Sequence, residues 1–371
     1  MSQALHNAID AINNSVGEDE ASQLIGAKVR GLICGYDAHW GPNNQWETES
    51  AEEVFHLPVI NPESERPSRT FTQAGKFDGI VQHNGRHYLL EHKSTSDDIA
   101  DPDSPYWRIL EIDSQVSAYC LANWQSGRKL DGTVYDVIKK PGIRPKEIPK
   151  AQRAMIVAHR EYCGTECSVE AALRIAGGEE RECLELYEIR LAADAIENPQ
   201  KYFQRRIVPR LDGEILQYAK ELWDVGQAII HARREDSHFR NSGACLTYNT
   251  PCDYLGICSG HDHPESDKWK KTDNVHPELP ILGNEGGRDV LSNSRIKCFQ
   301  TCRRKHFYRF ELGIQRVSEE EREALYFGSL LHVGLEAWWL SFMKGGANAP
   351  SNSAQPAVNA AAGCAQAELP L

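Results

Sequence analysis

The chain lacks any apolar run approaching the ~20 residues that a membrane span requires, so no spanning segment is read in its 371 residues. Its first residues, Met-Ser-Gln-Ala-Leu-His, show no basic stretch leading into an apolar one, which excludes a recognisable secretory leader. No internal repeat is found. Positive charge is in deficit, with 41 Lys and Arg against 53 Asp and Glu and a net charge of −12. That speaks against a protein that coats nucleic acid through bulk charge. It leaves room for a nuclease, whose metal site needs acids and whose cations can be local. The eleven cysteines are odd in number and scattered. They fit a reducing cytoplasm, with some thiols as ligands, better than a disulfide framework.

With 40% hydrophobic residues the chain can build a real core, as two domains or as one large domain with additions. The most informative stretch runs from Gly75 to Lys93. Asn84-Gly85 between apolar, β-prone runs signals a two-residue type I′ hairpin, because both central residues need φ > 0. That loop pairs His83 with Arg86, and each further pair keeps the same register, so Asp78 falls opposite Glu91. Directly opposed side chains stand roughly 4.5–5.5 Å apart at Cβ. Strand alternation puts Lys93 on the face of Glu91. A solvated charged face is the plain alternative, but opposed like charges destabilise a hairpin and these interrupt apolar runs. Two carboxylates able to share a divalent cation, with an amine beside them, are the parts of a phosphodiester-hydrolysing site.

Periodicity predicts a helix over residues 2–40 and a strand at Glu53–Leu57, followed by a polar loop to residue 70. After the hairpin and a loop over Ser94–Tyr106, a helix is expected from Trp107 to Gln125 with Ile109, Ile112, Val116 and Cys120 as its apolar stripe. Thr133–Ile138 reads as another strand of the same sheet. Residues 168–235 read as mostly helical, interrupted by a strand-like Leu184–Ile189. Residues 259–290 read as a polar linker, Leu291–Leu312 and Glu319–Met343 as helical, and residues 344–371 as a low-complexity tail. From Lys139 to Arg160 seven cations face one acid, Glu147, a segment that could track a phosphate backbone or be a solvated loop. Gln115 and Tyr119, four apart on the expected helix, share a face and could hydrogen-bond a phosphate or base; packing is the plain alternative.

Gly-Lys-Phe-Asp78, Glu91-His-Lys93 and Gln115-Val-Ser-Ala-Tyr119, in this order, resemble the PD-(D/E)XK nucleases, and more closely their RecB-like branch, which includes CRISPR-associated exonucleases and phage nucleases. The resemblance implies an α/β, restriction-endonuclease-like core: a small mixed β-sheet flanked by helices, with a helical lobe. It implies that Asp78 and Glu91 bind Mg²⁺ or Mn²⁺, that Lys93 orients or activates the attacking water, and that Gln115 and Tyr119 position the substrate strand. The expected activity is that of a deoxyribonuclease, more exonuclease than endonuclease, on single-stranded DNA or ends. The setting would be repair, recombination or phage DNA processing in the cytoplasm of a bacterial or phage-infected cell, with a helicase or recombination protein as a candidate partner. The oligomeric state is open.

Cys245, Cys252 and Cys258 form a cluster without a nearby fourth thiol. In the iron–sulfur members of this branch, three late cysteines join an earlier one around a 4Fe–4S cluster. Here the matching elements come last. Ser-Asn-Ser-Arg-Ile-Lys-Cys-Phe-Gln-Thr-Cys302 resembles the family's first helix with its cluster cysteine. Phe327-Gly-Ser-Leu-Leu-His332 resembles its Gly-x-x-x-His helix, whose histidine joins the metal site. A core over 1–258, a linker over 259–290 and a helical segment over 291–343 then read as a circular permutation, as a domain followed by the start of a second copy, or as an oddly placed gene boundary. Zn²⁺ on the same four thiolates is an alternative to the cluster. Cys34, Cys120, Cys163, Cys167, Cys183, Cys298 and Cys364 receive no role. A catalytically silent DNA-binding or assembly subunit and a zinc-stabilised interaction module are the competing functions; intact Asp78, Glu91 and Lys93 speak against the first.

Overall fold

A computed structural model describes residues 2–247, 250–277, 279, 287–317 and 323–343. The tail over 344–371, with Cys364, lies outside the described residues.

Six strands form the central sheet: β1 (Glu47–Ile60), β2 (Pro67–His83), β3 (Arg86–Thr95), β4 (Gly132–Lys139), β5 (Phe203–Val208) and β6 (Asp289–Leu291). Their order is β1-β2-β3-β4-β5, with β6 paired to β2. The pairs β1–β2, β2–β3 and β4–β5 are antiparallel, whereas β3–β4 and β6–β2 are parallel. The sheet is therefore mixed. Asn84 and Gly85 take φ of 52° and 76°, and five pairs from Gly79–Leu90 to His83–Arg86 hold the expected register. β2 is long enough that β3 pairs only with its last part, and β6 joins it at Phe71–Gln73.

The helices that cover the sheet are α1 (Gln3–Ser15), α2 (Glu20–Trp40), α3 (Pro105–Leu110), α4 (Ser114–Gln125), α5 (Leu184–Glu197), α6 (Asp212–Arg234), α7 (Asn293–Thr301) and α8 (Glu323–Leu340). β4 is buried along nearly its whole length, as a strand covered on both faces must be. One core joins Val81, Leu90, Val134 and Ile138 of the sheet to α1, α2, α5 and α8. The other joins Ile80, Leu89, Tyr135 and Val137 to α4, α6 and α7. Successive strand residues thus serve opposite layers. The late segment is built into both: Phe327, Leu331, Trp338 and Trp339 enter the first core, and Leu291, Ile296 and Phe299 the second. α8 crosses α1 so closely at Gly334 that a Cβ there would stand 2.8 Å from Ile12 Cδ1.

Several local expectations are corrected. The helix read over 2–40 is two helices, each opened by a side-chain cap, Ser2 for α1 and Asp19 for α2. The helix read over 107–125 is also two. Asp113 caps α4 by accepting from the Gln115 amide at 3.0 Å, and Ile109 and Ile112 are 64% and 77% exposed, so only Val116 and Cys120 of the stripe are buried. Leu184–Ile189 is helix: the alternation ends within six residues, whereas Tyr187, Leu191 and Ala195 recur at i+4 and are buried. The strand in this region is β5, at Phe203–Val208. Within 259–290, Trp269–Lys271 pairs with Ile314–Arg316, and β6 begins at Asp289; three-residue strands leave little periodicity to read. In the basic segment, Arg153 pairs with Glu180, Arg160 with Glu166, and Lys139 with Asp98, so three of its seven cations are met within the molecule. Among the described residues no helix is long and apolar enough to cross a membrane.

Candidate active site

The site lies where β2 and β3 part. The β2–β3 ladder stops at Gly79–Leu90. At the next position Asp78 turns from pairing and accepts the His92 amide on Oδ2 at 2.7 Å. Glu91 and Lys93 share the face of Leu89, toward α4. Lys93 Nζ donates to Glu91 Oε1 at 2.7 Å and to Gln115 Oε1 at 2.9 Å. Gln115 Nε2 then donates to the Tyr119 hydroxyl at 2.9 Å. Glu91, Lys93, Gln115 and Tyr119 thus form one hydrogen-bonded chain from strand to helix.

The electrostatics follow from burial. Glu91 is 2% exposed; burial, with Asp78 adding to it against the pull of Lys93, raises its carboxyl to about 7. Its Oε2 is buried with no hydrogen-bond partner among the described residues. Burial also raises Asp78, against the opposing His92 and Lys93. Lys93 is driven up, because Glu91 and Asp113 outweigh its own desolvation. A buried acid with an orphaned oxygen, beside a half-buried acid and one amine, is a donor set that suits a hard divalent cation.

His332 reaches the site from α8: Nδ1 lies 3.8 Å from Asp78 Oδ1, and its ring meets His92 edge-on at 5.9 Å. Burial and the neighbouring His92 push its imidazole down. One turn further, burial and the charge of Glu52 raise Glu336. Among the described residues no three His, Cys, Asp or Glu side chains form a ready metal cage.

Several residues here escaped the sequence reading. Asp113 stands 3.4 Å from Lys93 Nζ and 3.7 Å from Lys297 Nζ. Its signal was available, since an Asp before a helix is a cap candidate. Glu52 sits in β1 between Ala51 and Glu53, which pair with Gly79 and Phe77. It holds φ at 52° and pairs with Lys76. Behind β3, His92 contacts Asp136 at 3.2 Å and Asp136 binds Arg205 at 3.1 Å. Tyr36 joins both partners, and Trp339 of α8 donates to the Tyr36 hydroxyl at 3.1 Å. Nothing in the local pattern marks this buried network.

Cys245, Cys252, Cys258 and Cys302 all line one small cavity, together with Arg240, Arg304 and Lys305. The Cys252 amide bonds the Cys245 carbonyl at 2.8 Å and closes the loop between them. Burial raises the Cys252 and Cys258 thiols. All described cysteines are free thiols.

A mixed sheet flanked by helices, with Asp, Glu and Lys at the parting of two strands, is consistent with a restriction-endonuclease-like fold. Residues 290–369 match the family model described as PD-(D/E)XK nuclease superfamily, a likeness of that stretch to the superfamily. The matched stretch covers the late segment and not the Asp78–Lys93 hairpin. No curated protein and no solved structure matches the chain.

Proposed function

We propose that the protein is a metal-dependent deoxyribonuclease that hydrolyses phosphodiester bonds, acting on single strands or ends. The observation that carries the reading is the buried Glu91 carboxylate, with one oxygen on Lys93 and the other without a partner among the described residues, beside Asp78. Asp78 and Glu91, with His332 approaching from α8, would hold Mg²⁺ or Mn²⁺. A bound cation would lower the pKa of a water and polarise the phosphoryl oxygen. Lys93 is charged and fixed between Glu91, Asp113 and Gln115; from there it offsets charge on the reacting phosphate and orients the water. Gln115 and Tyr119 extend the polar row along the strand's path.

The late segment would complete the site in cis, as a circularly permuted domain; the packing of α8 beside Asp78 favours this over a separate second copy. The four cysteines would hold a 4Fe–4S cluster that staples the late segment to the 245–258 region, with Zn²⁺ the alternative. Their sharing of one cavity supports a common ligand. Iron and sulfide analysis of anaerobically purified protein separates the two.

End-labelled single- and double-stranded DNA, incubated with Mg²⁺ or Mn²⁺, tests the chemistry. Wild type should degrade the label and the Lys93→Ala and Asp78→Ala variants should not. Equal activity in all three would remove the mechanism.

A further inference from the structure

α7 forms the wall of two cavities. One, of about 410 Å³, is lined by Gln115 and Tyr119 of the site and by Lys76, Ser294 and Lys297. The other, of about 420 Å³, is lined by Phe239, Arg240, Gln300, Thr301 and Arg303. In a chain with a net charge of −12, no acid among the described residues lines either cavity, and each carries two cations, of which Lys76 pairs with Glu52 and Lys297 stands 3.7 Å from Asp113. Lys297 lines the first of them. Gln300 and Thr301 follow it at i+3 and i+4 and so share its face, and all three are exposed. At the far end Phe239 is 56% exposed, and the Arg303 guanidinium lies over its ring at 4.4 Å and over Phe299 at 5.0 Å.

An exposed aromatic ring beside arginines, at the end of a path lined by lysines and polar side chains, is an arrangement that binds single-stranded nucleic acid. Bases stack on the ring whatever their sequence, and cations track the backbone. We infer that single-stranded DNA leaving the catalytic groove runs over Lys297 along α7 and stacks a base at a platform made by Phe239 and Arg303, with Arg240 on its phosphate. The inference rests on the nuclease reading only for the direction of the strand. From Ser294 to Thr301 the helix rises about 11 Å, which is roughly three nucleotides at the ~3.4 Å stacked spacing.

The test measures binding without cleavage: fluorescence anisotropy of labelled oligothymidylates on the Lys93→Ala chain with no divalent cation added. A twelve-nucleotide probe reaches the platform and a three-nucleotide probe in the catalytic groove does not. Phe239→Ala and Arg303→Gln should each weaken the twelve-mer about tenfold or more, within the range measured for loss of one base–aromatic stack. The three-mer affinity should be unaltered, and Phe239→Trp should restore the twelve-mer. Unchanged twelve-mer affinity in both variants overturns the platform, as does equal weakening of both probes. Selective loss in a chain whose Lys93 form cleaves no DNA would keep the platform and remove the nuclease reading.

Discussion

The β2–β3 hairpin and α8 both deliver side chains to Asp78's surroundings, and what holds each in place differs in kind. The hairpin sets Asp78, Glu91 and Lys93 by a two-residue turn and a short hydrogen-bonded ladder, all within sixteen residues of chain. α8 brings His332 from a distant part of the chain through burial of Trp338, Trp339, Leu331 and Phe327 against α1 and α2. The hairpin half of the site thus depends on backbone geometry, and the α8 half depends on the core. The buried network of His92, Asp136, Arg205, Tyr36 and Trp339 joins them.

That contrast can be broken at several points. The largest effect belongs to the chemistry: Lys93→Ala or Asp78→Ala should lower DNA hydrolysis on the order of 10²–10⁴-fold, the scale of losing a positioned catalytic group. Asp78→Ala should leave the melting temperature close to that of wild type, whereas Lys93→Ala also leaves the buried Glu91 without its counter-charge and should lower it. Next, Asp136→Asn should destabilise the whole molecule by about 3–5 kcal/mol in denaturant titration, because Arg205 is left buried without its counter-charge. If only activity fell, the two halves would be joined by something else.

A smaller effect lies in the late segment. Burial, with Arg295 and Arg233 alongside, pulls His306 down to about 3 from 6.5, and Arg295 donates to its Nε2 at 3.2 Å, which keeps the ring neutral. Between these values the unfolded chain binds the extra proton, so the contribution is complete above pH 6.5 and fades as pH falls toward 3. His306→Gln should flatten that part of the stability–pH curve; an unaltered slope would exclude His306 as its source. The smallest effect is at the turn. Gly85 has φ of 76° with nothing near its Cα to meet a Cβ, so Gly85→Ala should cost only the left-handed penalty of roughly 1–2 kcal/mol, seen as a small drop in melting temperature.

The legible parts of the molecule are those whose geometry is local. Strand alternation and a two-residue turn place Glu91 and Lys93, and helical spacing places Gln115 with Tyr119; the hydrogen bonds among them follow these patterns. Leu184–Ile189 misled because a short alternating stretch suits strand or helix, and only Leu191 and Ala195 beyond it reveal the helical period. Asp136, Arg205 and Glu52 carried no sequence signal, since their neighbours are brought by the sheet's order and by packing. Arg153 and Arg160 of the basic 139–160 segment find their acids, Glu180 and Glu166, beyond the segment, so these pairs are not visible within it.

β6 has a consequence for how the chain is made. It covers the edge of β2 at Phe71–Gln73, yet it is synthesised long after β2, β3 and β4. Until Asp289–Leu291 leaves the ribosome, that edge presents unpaired N–H and C=O groups that any passing strand can extend. Chains stopped short of Asp289 should therefore collect in aggregates even though the hairpin, its acids and its lysine are all intact.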